Sequence, residues 1–91
     1  MKELKIPHNG KGYRISYTTE TIDLSMTPIG FLNVYAVFVT DEELKKIIGE
    51  HFTILHNSIQ TIKPCFDTTG NIEIDNIKKT IAQQIMNDAG Q

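Results

Sequence analysis

The N-terminal part of the chain alternates apolar and polar residues on both sides of a strong turn signal. Asn9-Gly10 favours a two-residue type I′ turn, because both central positions of that turn need a positive φ. Pairing the flanking strands about this turn places five apolar side chains on one face: Leu4, Ile6, Tyr13, Ile15 and Tyr17. The other face carries Glu3, Lys5, Arg14 and Ser16. The turn and the alternation therefore predict the same hairpin, with one face in the core.

The alternation resumes after Thr19-Glu20, where Ile22, Leu24 and Met26 are separated by polar residues. A turn at Thr19-Glu20 would set Tyr17 opposite Ile22 and continue the apolar face across three strands. We therefore predict an N-terminal β-meander whose third strand is 21–26, although Thr-Glu is not a favoured two-residue loop.

Residues 31–39 are apolar on both faces of a predicted strand, and Asn33 is the one exception. Thr27-Pro28-Ile29-Gly30 breaks the chain before them. β-Branched and aromatic residues at this length favour a strand over a helix. We predict a central strand over 31–39, and a strand of this kind is normally covered on both sides.

Two helices are predicted after this strand. Thr40-x-x-Glu43 has the pattern of a capping box, and the following apolar stripe, ending before Gly49, predicts a short helix over 41–48. The stripe of Ile77, Ile81, Ala82 and Ile85, with Lys78 outside it, predicts a C-terminal amphipathic helix over about 75–88.

The sequence pattern predicts the structure of three stretches between these helices with different clarity. Residues 51–57 form a further strand candidate, with Phe52, Ile54 and His56 on one face. The pattern of 58–66 favours neither strand nor helix. Ile72-Glu73-Ile74 is either a short strand before an N-cap at Asp75 or the first helical turn after an N-cap at Asn71.

Together these elements predict a two-layer α+β fold. Its small, mostly antiparallel sheet consists of the N-terminal meander and the central strand 31–39, with the two helices packed on it. A length of 91 residues predicts a single domain spanning 1–91.

Composition and charge narrow the classes of partner and compartment. A net charge of −2 makes nucleic acid an unlikely partner, because duplex binding depends on neutralising phosphates. Lys11-Gly12-Tyr13 matches only the start of an RNA-recognition signature, so Lys5, Lys11 and Arg14 form at most a small basic patch. The single cysteine, the lack of a signal-like apolar run and the short apolar stretches predict a cytoplasmic protein without membrane spans.

The candidate chemistry is sparse. His51 and His56 are five residues apart on a predicted strand, so they point to opposite faces and do not suit one metal site. Cys65 lacks a protease-like signature and is expected to be an inert, buried or half-buried thiol. The oxygen-rich stretch 67–75 fails the calcium-loop pattern at its sixth and twelfth positions. We predict no catalytic, cofactor-binding or metal site, and the balance favours a protein that is not an enzyme.

The leading hypothesis is a protein-interaction or regulatory module that self-associates as a homodimer. Two short helices cannot cover both faces of a sheet, so one apolar face of the central strand needs another cover. That cover is either a partner chain or the sheet itself, if the sheet curls into a small barrel or sandwich. That face carries either the Phe31, Tyr35 and Val37 set or the Leu32, Val34 and Phe38 set. We single out Phe31, Asn33, Tyr35 and Val37 as the interface or pocket.

The alternative hypothesis is a small-molecule-binding protein or small enzyme. Asn33 and Tyr35 would then be the polar groups of a pocket on the sheet face. Catalytic groups would have to come from His51, His56, Tyr35 or Asp23.

Overall fold

The computed structural model describes residues 1–28, 30–57 and 64–90. Its elements, in chain order, are β1 (Lys2–His8), β2 (Lys11–Leu24), β3 (Gly30–Val39), α1 (Glu42–Ile48), β4 (His51–Asn57) and α2 (Ile72–Asp88).

The four strands form one antiparallel sheet in the order β1-β2-β3-β4, which confirms the predicted α+β class. The hairpin of β1 and β2 has the predicted register, with Ile6 opposite Tyr13 and Lys2 opposite Tyr17. Its turn residues Asn9 and Gly10 have φ values of 52° and 76°, as a type I′ turn requires. The local turn chemistry therefore determines the register of this hairpin.

The predicted turn at Thr19-Glu20 is wrong, because β2 continues without a break to Leu24. β3 pairs with β2 along this whole stretch, and Ile22 lies opposite Leu32. The β-branched residues around Glu20 suit an extended chain, and a ladder partner outweighs a weak turn signal. The real turn follows Leu24, whose carbonyl accepts hydrogen bonds from the amide and the hydroxyl of Thr27.

This correction reverses the faces predicted for the end of β2. The turn at Thr19-Glu20 would have placed Ile22 on the same face as Tyr17, but in a continuous strand the two side chains point to opposite faces. Ile22 is 41% exposed and Met26 is 97% exposed, so neither belongs to the core.

The helix α1 begins one residue later than its capping-box pattern indicated. Asp41 is the N-cap, and its Oδ1 accepts hydrogen bonds from the amides of Glu43 (2.9 Å) and Leu44 (3.1 Å). The Thr40 hydroxyl donates instead to the carbonyl of Arg14 at 3.1 Å. The capping box at Thr40 is therefore wrong, because that hydroxyl is used to hold the chain against β2.

The helix α2 is three residues longer at its start than predicted, so the second of the two alternatives for 72–74 is correct. Asn71 is the N-cap and accepts a hydrogen bond from the amide of Ile74 at 3.2 Å. The predicted apolar stripe of α2 is buried as expected. Lys78, predicted to lie outside it, is only 7% exposed.

Lys78 is buried because its cation finds partners under the helix. Its Nζ donates to the carbonyl of Asp67 at 3.3 Å and lies 5.3 Å from the centre of the Phe52 ring. The carbonyl acceptor and the aromatic face together compensate for the hydration that the ammonium group loses on burial.

Both helices pack on the same face of the sheet, which we call the inner face. One core cluster joins α1 and α2 to the inner-facing side chains of all four strands. The opposite face, which we call the outer face, contributes no side chain to this cluster among the residues that the structure describes. None of the helices in the described ranges is long and apolar enough to cross a membrane.

Candidate interaction surface

The burial of β3 alternates along the strand. Asn33, Tyr35, Val37 and Val39 point to the inner face, and their exposure is 6% or less. Leu32, Val34, Ala36 and Phe38 point to the outer face and are half-buried. Of the two sets that the sequence left open, the helices cover the one that contains Tyr35.

The structure therefore separates the four residues singled out in the sequence. Asn33, Tyr35 and Val37 lie beneath the inner-face cover, and burial raises the pKa of the Tyr35 hydroxyl. Phe31 is 43% exposed near the end of the sheet, opposite Asp23. Only Phe31 of this group presents a large apolar surface to the outside.

The outer face has a continuous apolar centre, which we call the outer stripe. It consists of Leu32, Val34, Ala36 and Phe38 of β3, flanked by Ile22 of β2 and Leu55 of β4. The register sets Leu32 beside Ile22 and Val34 beside Leu55. Ile22 and Leu55 are 41% and 38% exposed, so the flanks of the stripe are open to contact.

Small and polar residues surround the outer stripe. Ser16 and His51 lie on either side of Phe38, and the rings of Phe38 and His51 are tilted with their centres 5.2 Å apart. Thr18 and Thr53 flank Ala36 in the same way. An apolar centre with a polar margin is the usual composition of a protein interface.

Charges of both signs lie at the margins of the outer face. Lys5 and Arg14 face each other across β1 and β2, Glu3 lies beside Ser16, and Glu20 lies beside Val34. Lys5, Arg14 and Glu20 form no ion pair with any residue in the described ranges.

Lys11, the third residue of the predicted basic patch, lies apart from the other two. Its Nζ is 3.5 Å from a carboxylate oxygen of Glu43, which offsets its charge. The stem of Lys5 lies over Gly12, where an added Cβ would meet the Lys5 Cδ at 3.5 Å. Within the described part of the chain, Lys5 and Arg14 thus supply the basic charge of the outer face.

The residues considered for catalysis are not brought together. His51 is exposed on the outer face, whereas His56 is buried on the inner face beside Asn33. The Asn33 side chain accepts a hydrogen bond from the Thr21 hydroxyl at 2.9 Å, and the buried His56 Nδ1 has no hydrogen-bond partner in the described ranges. The Asp23 carboxylate accepts a hydrogen bond from the amide of Ser25, and the hydrogen bonds from Ser25 lower the pKa of this carboxyl group.

Cys65 differs from its predicted environment, because its side chain is exposed rather than buried or half-buried. The Cys65 backbone exchanges two hydrogen bonds of 2.8 Å with Leu55 at the edge of β4, which holds it at the surface. Among the residues described, no group of three or more His, Cys, Asp or Glu side chains is placed to hold a metal ion.

One contact network of the structure has no signal in the sequence. The buried hydroxyl of Tyr17 donates to the carboxylate of Asp88 at the end of α2, and Lys2 lies 3.5 Å from the same carboxylate. Burial, followed by the bond to Asp88, raises the pKa of Tyr17, and the bond from Tyr17 lowers the pKa of Asp88. The two residues are 71 positions apart, so no local pattern could have joined them.

A groove of about 480 Å³ lies away from the outer face, between the end of β1 and the first half of α2. His8, Glu73, Asn76 and Thr80 supply its polar lining, and Ile72 and Ile77 its apolar lining. Glu73 and Asp75 lie at the positive end of the α2 dipole, so their negative charge is already balanced there.

Comparison of the chain with protein-family models, with curated proteins and with solved structures finds no match.

Proposed function

We propose that the protein is a non-enzymatic interaction module that self-associates as a homodimer through the outer face of its sheet. The observation that carries this proposal is the outer stripe, an apolar centre on the sheet face opposite both helices. Contiguous apolar patches with a polar margin are typical of binding surfaces.

The dimensions of the face suit a stable interface. Four strands spaced about 4.8 Å apart, and a ten-residue β3 about 33 Å long, give a footprint on the order of 600 Å². Stable complexes bury about 800 Å² of accessible surface on each partner, and side-chain relief adds to a flat footprint. The outer face as a whole is therefore comparable in area with one side of a stable interface.

A second copy is favoured over an unrelated partner by the distribution of charge. Lys5 and Arg14 lie toward one end of the face, with Glu3 two residues from Lys5 on β1, and Glu20 lies toward the other end. A two-fold axis that crosses the strands brings such opposite ends together, and in that orientation the surface is complementary to itself. We also propose a cytoplasmic location, because the single cysteine of the chain suits a reducing compartment.

The test is sedimentation equilibrium of the wild type and of Val34→Lys at micromolar concentrations. We expect the wild type to dimerise and the variant to be monomeric, because the variant places a charge at the centre of the outer stripe. Gln83→Lys, on the exposed side of α2, is the matched control and should still dimerise.

A wild type that stays monomeric throughout this range contradicts the proposal. A thermal-shift screen then tests the alternative of a small-molecule binder, which a metabolite that raises the melting temperature by several degrees would support.

A further inference from the structure

Arg14 and Glu20 are two unpaired opposite charges on the same face of the same strand. They are six residues apart on β2, which corresponds to roughly 20 Å at the rise of a strand. Both side chains are exposed, and neither forms an ion pair with a residue in 1–28, 30–57 or 64–90. Tyr17 is the midpoint between them.

We infer that two copies stack face to face with their β2 strands antiparallel, so that Arg14 of each chain lies over Glu20 of the other. This inference rests on the proposed self-association and adds the orientation of the two chains. A two-fold axis that crosses the strands at the level of Tyr17 produces the arrangement, and it forms the same ion pair twice.

The same axis places large side chains over small ones. Tyr17 lies opposite Val37, so the axis crosses β3 between Ala36 and Phe38. Phe38 of each chain then packs over Ala36 of the other, at the Phe38 end of the outer stripe. Ile22, five positions from Tyr17, packs over Gly12, where the stem of Lys5 supplies an apolar seat. Large-against-small contacts allow two sheets to approach to their usual separation of about 10 Å.

The other simple two-fold axis, which runs along the strands between β2 and β3, fits less well. It would place Arg14 over Thr40 and Glu20 over Val34. Arg14 and Glu20 would then each be desolvated without gaining an oppositely charged partner, which is strongly unfavourable. The charge pattern therefore selects the antiparallel arrangement.

The test uses two charge reversals, R14E and E20R, measured separately and as an equimolar mixture by sedimentation equilibrium. Each variant alone sets like charges against each other at both contacts, and we expect its dimerisation to weaken roughly tenfold or more. In the mixture, the carboxylate introduced at position 14 of one chain faces the guanidinium introduced at position 20 of the other. The native pair forms at the second contact, so the mixture should regain an affinity within about threefold of the wild type.

Lys79→Glu, on an exposed position of α2, is the charge-matched control and should leave dimerisation unchanged. Circular dichroism of each variant verifies that it is folded. A mixture that associates no better than the single variants overturns the inferred orientation. Loss of the dimer in Val34→Lys would in that case still support self-association, whereas a monomeric wild type overturns both.

Discussion

Tyr17 and Asp88 connect the middle of the sheet to the end of the C-terminal helix. Tyr17 is 2% exposed, and its hydroxyl donates a hydrogen bond to the carboxylate of Asp88. Lys2 adds a second donor to that carboxylate from the start of β1. A single carboxylate thus joins the β1–β2 hairpin to the end of α2, although Tyr17 and Asp88 are 71 positions apart in the chain.

Asp88 should make the stability of the protein depend on pH in the acidic range. Its pKa is lowered below the usual 3.8, so its stabilising effect is complete above about pH 4 and is lost as the pH falls through the lowered value. We expect Asp88→Asn to be less stable than the wild type at pH 7 and the difference to shrink below pH 4.

Urea unfolding at a series of pH values measures this difference, and Asn87→Ala, at the adjacent exposed position, is the control. A difference between wild type and Asp88→Asn that stays constant down to pH 2 contradicts the assignment.

At the scale of elements, α1 depends on its cap because it is only seven residues long. So short a helix is unstable alone, and Leu44 and Ile48 hold it against the core. Asp41 satisfies two of its unpaired amides, whereas Thr40 faces the carbonyl of Arg14.

We expect Asp41→Ala to lower the free energy of unfolding by about 1 kcal/mol, the usual effect of losing an N-cap. Thr40→Val should cost less, because it removes only one exposed hydrogen bond. Chemical denaturation of the two variants compares them directly. The reverse order would restore Thr40 as the cap and contradict the structure.

The strand β2 has two halves with different surroundings. Its first half is paired on both sides, with β1 up to Tyr17 and with β3 from Ile15 onward. From Thr18 to Leu24 only β3 pairs with it among the residues described, and nearly every side chain there is exposed. Glu20 and Asp23 on this open edge discourage pairing with strands of other molecules.

At the scale of the whole molecule, the half of β2 that pairs only with β3 contributes to an elongated shape of 42 × 28 × 19 Å. The core lies under the helices, around Ile15, Tyr35 and Ile54, all of which are fully buried. The end of the sheet near Leu24 and Phe31 has little of this cover. The protein therefore combines a well-packed core with one end of the sheet that the helices leave largely uncovered.

Hydrogen exchange should divide the molecule in the same way. We expect the amides of Ile15, Val37 and Ile54 to exchange only on global unfolding, and those of Ile22 and Leu24 to exchange at least tenfold faster through local opening. Exchange followed by NMR gives the ratio for each residue. Equal protection along the whole of β2 would show that the projecting half is held by contacts other than β3.

Several features follow from the sequence because neighbouring residues determine them. The Asn9-Gly10 turn and the alternation around it predict the β1–β2 register, and the spacing of Ile77, Ile81 and Ile85 predicts the buried side of α2. The apolar character of residues 31–39 indicates a central strand whose two faces both need cover. These patterns repeat every two or every 3.6 residues, so a short segment contains them completely.

Other features depend on residues distant in the chain. The path of β2 through Thr19-Glu20 is decided by β3, which supplies ladder partners on the far side of a turn. The burial of Lys78 depends on Phe52 and the carbonyl of Asp67, and the lowered pKa of Asp88 depends on the hydrogen bond from Tyr17. No periodicity in the sequence brings these groups together.

The same distinction applies to the candidate site. The sequence by itself determines that the central strand has two apolar faces. Only the tertiary structure decides that Tyr35 and Val37 lie under the helices and that Leu32, Val34 and Phe38 face away. The side on which α2 docks makes this choice, since alternation defines two faces but not which of them a distant helix covers.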